Sequence, residues 1–155
     1  MRSAFRIIAY VICALIAVQA AAIAWMDSGL FIWVSEGGVL DKSVLESEAA
    51  PPFAEVTGMM IHGMNGMMVI PVLALVLLVV GLLTRTRRGI VLGATVLGLT
   101  VLQVALGMFG HGLSLAAMLH GLNALLLFAA ALVAARSRLE APVERTPEAR
   151  VGARV

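Results

Sequence analysis

Four long apolar runs dominate the chain, and polar residues collect between them. The runs cover roughly residues 5–25, 57–83, 89–109 and 113–135. A bilayer core about 30 Å thick needs about 20 apolar residues of helix, so each run is long enough to cross it. In hydrocarbon the backbone must satisfy its own hydrogen bonds, which makes each run a helix. The pattern predicts an all-α protein: an integral membrane four-helix bundle in one domain, residues 1–138. Pro71 falls inside the second run and predicts a kink or a loosened turn there. The longest connection is residues 26–56 and carries Leu30-Phe31-Ile32-Trp33-Val34 and the turn-forming pair Pro51-Pro52. An apolar stretch with Trp suits either an interfacial segment or a lid folded over the bundle. Residues 139–155 are rich in Arg, Glu, Pro and Ala, and predict a disordered cytoplasmic tail.

Composition agrees with this pattern. The chain is 61% hydrophobic and 13% charged, whereas a soluble domain averages about 45–50% apolar and about 25% charged. A formal charge of +2 is too small to suggest nucleic acid as a partner. Its distribution says more. Arg2 and Arg6 open the first run, Arg85, Arg87 and Arg88 separate the second from the third, and Arg136 and Arg138 follow the fourth. Basic residues mark the cytoplasmic side. The first connection carries Asp27, Glu36, Asp41, Glu46, Glu48 and Glu55 against one Lys42, and belongs outside. Both termini are therefore expected to be cytoplasmic, in the inner (plasma) membrane of a bacterial cell. The basic start and Ala20, Ala21 and Ala22 also allow a cleaved signal peptide. The length of the run and its part in a repeat count against that. Cys13 is the only cysteine, which leaves no disulfide within the chain and no cysteine metal cage.

An internal repeat carries the candidate chemistry. The second run contains Met60-Ile61-His62-Gly63-Met64-Asn65-Gly66, and the fourth Met118-Leu119-His120-Gly121-Leu122-Asn123-Ala124. More weakly, Val18-Gln19-Ala20-Ala21 in the first resembles Leu102-Gln103-Val104-Ala105 in the third. The chain reads as two copies of one helical hairpin, with the second and fourth helices parallel about a pseudo-two-fold axis along the membrane normal. At 1.5 Å per residue, His62 and His120 both sit about 8–10 Å inside the outer boundary. Asn65 and Asn123 lie one turn deeper on the same face. Gln19 and Gln103 reach the same layer. Polar groups at such depth usually face the bundle interior.

Two histidines across a two-fold axis can bind the opposite faces of a planar metal macrocycle, and haem with imidazole ligands is the common case. Gly63 and Gly121 would let it approach the backbone. Gln19, Gln103 or the backbone carbonyl a turn earlier would hold the second ring nitrogen. Met60, Met64 and Met67 would line its edge. Two other readings compete. Asn, Gln and His also join membrane helices by hydrogen bonds, which would make the chain a structural or accessory subunit. The cluster Met59, Met60, Met64, Met67 and Met68 suits Cu(I), although the fourth run keeps only Met118. His111 has no counterpart in the other half and is expected to face solvent or the propionates. No nucleophile–base pair, phosphate loop or carboxylate dyad is present.

The segments Val101-Leu102-Gln103-Val104-Ala105-Leu106-Gly107, Gly112-Leu113-Ser114 and Leu119-His120 resemble the third helix, short outer loop and fourth helix of one half of the haem A synthase family. The resemblance covers roughly residues 5–136 and implies a four-helix bundle with His62 and His120 as an axial pair on haem b. The family resembles two such bundles joined. It often has a cysteine pair in the first outer loop, absent here, and a glutamate where this chain has Met59. The resemblance thus implies a stand-alone haem b module for electron transfer or haem handling, and these departures argue against oxidation of a haem methyl group. The lipid bilayer is one partner; a membrane redox protein, a quinone and a second copy of the chain are open as others.

Overall fold

The computed structural model describes residues 1–47 and 49–139. Residues 140–155, nearly all of the expected tail, lie outside the described residues. Among the described residues every regular element is helical. Four helices, Arg2–Ser35, Ala54–Leu83, Arg87–Gly110 and Ser114–Arg136, are long and apolar enough to cross a membrane. They pack in a ring, the first and the third each against the second and the fourth. The second and fourth therefore face each other diagonally. Val72, Leu75, Val101 and Leu125 remain more than half exposed around the outside of the ring. Such an apolar exterior suits lipid and not water.

The first helix runs ten residues beyond the expected boundary at Trp25. The apolar run ends there, but nothing at Trp25 breaks a helix. The first breaker is Gly37-Gly38. Gly37 takes a left-handed φ of 99°. Its N–H donates to the Val34 carbonyl at 3.1 Å, and the Gly38 N–H to that of Trp33 at 3.0 Å. This is a Schellman stop. The segment expected as an interfacial stretch or lid is thus the exposed end of a helix. Phe31 is 80% exposed. Trp33 turns back, its ring 5.7 Å from that of Phe53, and Leu30 lines the cavity beneath the connection. In the returning connection, Asp41 caps the single turn Lys42–Leu45. Leu40, Val44 and Phe53 then roof an apolar cavity over Met26 and Met59.

The apolar core lies toward the end that carries the arginines. Phe5, Ala9 and Ile12 meet Ile70, Ala74 and Leu77 from the second helix and Leu127, Ala131 and Ala134 from the fourth. The second and third helices approach closely there. A Cβ on Gly93 would lie 2.8 Å from the Leu78 Cα, and one on Gly81 2.6 Å from the Gly89 carbonyl oxygen. Without a hydrophobic drive between helices in lipid, such small-residue contacts carry much of the packing. Arg6 Nε donates to the Ala135 carbonyl at 3.0 Å, joining the first helix to the fourth. Cys13 is buried, its thiol 3.9 Å from the Phe128 carbonyl. Leu139, expected at the start of the tail, is 4% exposed and packs into this core.

The repeat is visible in burial. Phe5, Ala9 and Ile12 of the first helix correspond in register to buried Gly89, Gly93 and Val96 of the third. On the other pair the spacing changes. Buried positions run Asn123, Leu127, Ala131, Ala134 on the fourth helix, but Asn65, Ile70, Ala74, Leu77 on the second. One extra residue is absorbed by a π turn, Asn65–Val69, in which the Ile70 N–H donates to the Asn65 carbonyl. Pro71 follows directly. It has no N–H to offer and crowds the preceding turn, so a widened turn costs little there.

Candidate functional site

Three residues after each histidine comes an asparagine, which puts both on one helix face. Both asparagines are buried and reach the neighbouring helix of their own hairpin. Asn65 Nδ2 donates to the Leu15 carbonyl at 3.3 Å, and Asn123 Nδ2 to that of Leu99 at 3.0 Å. Leu15 and Leu99 each stand one turn before a glutamine of the pair Gln19 and Gln103. The same contact is therefore made twice, once per hairpin. These bonds fix the roll of the second and fourth helices and aim both imidazoles into the bundle. The ring centroids of His62 and His120 lie 6.0 Å apart across the diagonal, with the planes tilted by 56°.

The two rings are held differently. His120 Nδ1 is 3.0 Å from the Gln103 carbonyl. A carbonyl only accepts, so the proton sits on Nδ1 and Nε2 keeps a free lone pair. Neither a glutamine side chain nor the carbonyl a turn earlier is the partner; it is the backbone of the neighbouring helix. The Gln103 amide is itself engaged, its Oε1 accepting from Asn123 Nδ2 at 2.7 Å. In the other hairpin Gln19 Nε2 donates to the His62 carbonyl at 3.0 Å.

Among the described residues, four buried side-chain polar atoms have no hydrogen-bond partner: Gln19 Oε1, His62 Nδ1, Asn65 Oδ1 and Asn123 Oδ1. All four belong to this layer. Each such atom costs about 1–3 kcal/mol, so their concentration in one place calls for a reason. The glycine of each HGxN segment also lacks a close neighbour, as Gly98 does elsewhere on the third helix. A Cβ on Gly63 or on Gly121 would meet nothing within 4 Å. Thr57–Met64 packs on the first helix, whereas the second helix meets the third through Ile70–Leu83. Between the second and third helices the bundle is closed at the arginine end and open at the histidine layer.

The chain matches no family model, no curated protein and no solved structure.

What the layer can do therefore follows from its geometry. Two imidazoles on opposite sides of one metal ion, each nitrogen about 2.0–2.1 Å from it, have ring centroids about 6.4 Å apart. The observed 6.0 Å is close to that value. The pair would suit a planar macrocycle held between them: the bond at Nδ1 leaves His120 Nε2 free, and Gly63 and Gly121 add no side chain beside the rings. Among the described residues no three of His, Cys, Asp and Glu come together, so there is no protein-ligated ion cage of those side chains. The methionines do not join the site. Met60, Met64, Met67 and Met68 lie on the face opposite His62 and are 59–64% exposed. They point away from the interior and cannot line a macrocycle edge. His111 caps the third helix at the surface, away from the layer.

Two contributors were not singled out from sequence. A Cβ on Gly107 would lie 3.0 Å from His120 Cε1, so this glycine seats the ring. A Cβ on Gly66 would lie 2.6 Å from Gln19 Nε2, so Gly66 makes room for the glutamine. Gly66 had a signal: it is the one position in the aligned HGxN segments where a glycine stands opposite an alanine, Ala124.

Proposed function

We propose that this chain is a membrane protein that binds one haem b between His62 and His120, for electron transfer or haem handling. The observation that carries the reading is the diagonal imidazole pair, 6.0 Å apart, contributed by two copies of one motif. Its support is the surrounding layer: Gln103 orients His120, Asn65 and Asn123 set the helix rotation, and Gly63 and Gly121 leave space. Bound haem would supply a one-electron iron couple, tuned by axial ligands and burial. The protein's own residues hold it, orient its ligands and surround it with apolar side chains. The resemblance to one half of the haem A synthase family points the same way. Met59, in place of that family's glutamate, and a loop free of cysteine favour a carrier over a haem-oxidising enzyme. By the positive-inside rule the arginine end is cytoplasmic, with both termini, in a bacterial inner membrane. The histidine layer then lies near the external face, where a membrane redox protein or a quinone is the exchange partner.

The test is the absorption spectrum of detergent-purified protein made with ample haem, oxidised and then reduced. The expected result is a six-coordinate low-spin haem b that disappears in the double variant His62→Ala, His120→Ala. A colourless wild type, or an unchanged spectrum in the double variant, sinks the proposal. Helix-joining polar residues would then be the better account.

A further inference from the structure

The pseudo-two-fold axis relates the two histidines in sequence, but their seats differ. On the third helix Gly107 leaves its Cβ position open to the His120 ring, whose Nδ1 is held at 3.0 Å by the Gln103 carbonyl. On the first helix the residue equivalent to Gly107 is Ile23, partly buried. A branched side chain thus stands at the register where the third helix has none, and His62 Nδ1 is buried without a partner. Gln19 does not copy Gln103 either. Its amide swings into the space at Gly66 and donates to the His62 backbone carbonyl. The contrast extends along the backbone. The π turn begins three residues after His62, and Pro71 removes a further N–H, whereas the fourth helix is regular through the same stretch. π turns in an α-helix often sit at functional sites.

Building on the haem reading, we infer that the two axial ligands are unequal: His120 is the fixed anchor, and His62 is displaceable. The second face of the iron then opens to a small neutral ligand of ferrous iron that replaces His62. An imidazole whose outer nitrogen is hydrogen-bonded is oriented and more basic as a ligand, and one without that bond is neither. His62 therefore dissociates first, and the helix segment that carries it can yield at the π turn without disturbing the packed core.

The experiment uses the full chain in detergent with haem bound, carbon monoxide as the probe, and a haem-scavenging apoprotein to time haem loss. In the reduced wild type, carbon monoxide should bind in one slow phase set by His62 release. His62→Ala should retain haem as a five-coordinate high-spin species, bind carbon monoxide at once, and return to low spin when imidazole is added. His120→Ala should lose haem faster than His62→Ala by on the order of tenfold or more, the range found when even an outer partner of a metal ligand is removed. Ile23→Gly, which gives His62 the seat that His120 has, should slow carbon monoxide binding. Equal haem loss from both histidine variants, or carbon monoxide binding no faster in His62→Ala than in wild type, overturns the inference and leaves the haem reading standing. A wild type without haem overturns both.

Discussion

The two ends of the bundle are built on opposite principles. At the arginine end, glycines bring backbones together and apolar side chains close every gap: Ala9, Ile12, Ala74, Leu77 and Ala131 have no exposed surface. At the histidine layer, Gly63 and Gly121 have no protein neighbour within 4 Å of a Cβ, Gly66 and Gly107 make room for polar side chains, and four buried polar atoms have no partner. The same residue type thus does opposite work. Gly93 is glycine because the Leu78 backbone is there, 2.8 Å from where a Cβ would be. Gly63 has no protein neighbour to explain it. A region stabilised by its own packing has little use for a ligand. A region that leaves buried polar atoms unpartnered is where the haem proposal puts its cofactor.

One substitution made at both ends tests this contrast with opposite signs. Gly93→Ala forces the second and third helices apart, and overpacking of this kind costs about 1–3 kcal/mol. Gly63→Ala meets nothing in the protein alone, and replacing a mid-helix glycine by alanine stabilises an aqueous helix by about 1 kcal/mol. Unfolding in detergent should therefore show Gly93→Ala well below wild type, with haem or without. Haem-free Gly63→Ala should equal or exceed the haem-free wild type, yet bind haem more weakly. Equal destabilisation by both substitutions would erase the difference between the ends.

A smaller effect separates the two hairpins within the open layer. Asn123 makes two bonds, at 3.0 Å to the Leu99 carbonyl and 2.7 Å to Gln103 Oε1, and so steadies the residue that orients His120. Asn65 makes one, at 3.3 Å. Interhelical hydrogen bonds in membranes average about 0.6 kcal/mol, so neither alanine variant should unfold the bundle. Haem affinity should fall in both, with a loss of about 10–100-fold for Asn123→Ala, as for other outer partners of metal ligands. The loss for Asn65→Ala should be smaller. A haem titration of the two variants checks the order, and a larger loss in Asn65→Ala would mean that His62, not His120, is the better-anchored ligand.

The sequence carried the helices, the repeat and the six polar residues of the layer, because bilayer thickness and period-3.6 spacing act on any chain. The rest depended on contacts between helices. The first helix outran its apolar stretch because helix ends follow capping, and Gly37-Gly38 supplied the stop at Ser35. The one-residue slip between the second and fourth helices was hidden because the HGxN segments align without a gap. Only burial beyond Asn65 shows that Ile70, not Val69, does the work of Leu127. The methionines looked like site residues by spacing alone. Their position 200° from His62 on the helical wheel, two residues to either side, puts Met60 and Met64 on the outer face. The inequality of the histidines rests on Gly107 against Ile23, a difference with no meaning until the third helix is packed against the fourth.

The smallest expected effect lies outside the bundle, and it marks how far the connection and the site are independent. Asp41 accepts from the Ser43 hydroxyl at 2.6 Å, the Ser43 N–H at 2.8 Å and the Val44 N–H at 3.2 Å. The hydroxyl bond first, and then the two backbone N–H groups, hold its carboxyl below the usual range. A carboxyl whose pKa is lowered by folding stabilises the folded form fully above its unfolded value, about 3.9, and loses that contribution as pH falls through the lowered value. Acidification below about pH 4 should therefore release the cap and fray Lys42–Leu45, as Asp41→Ala should at neutral pH. Faster amide exchange at Ser43 and Val44 would report it. That turn helps roof the cavity over Met59, three residues before His62. If roof and site are separate, the haem spectrum of Asp41→Ala should match that of wild type across the same pH range. A shifted spectrum in Asp41→Ala would show that the connection bears on the second helix and on His62.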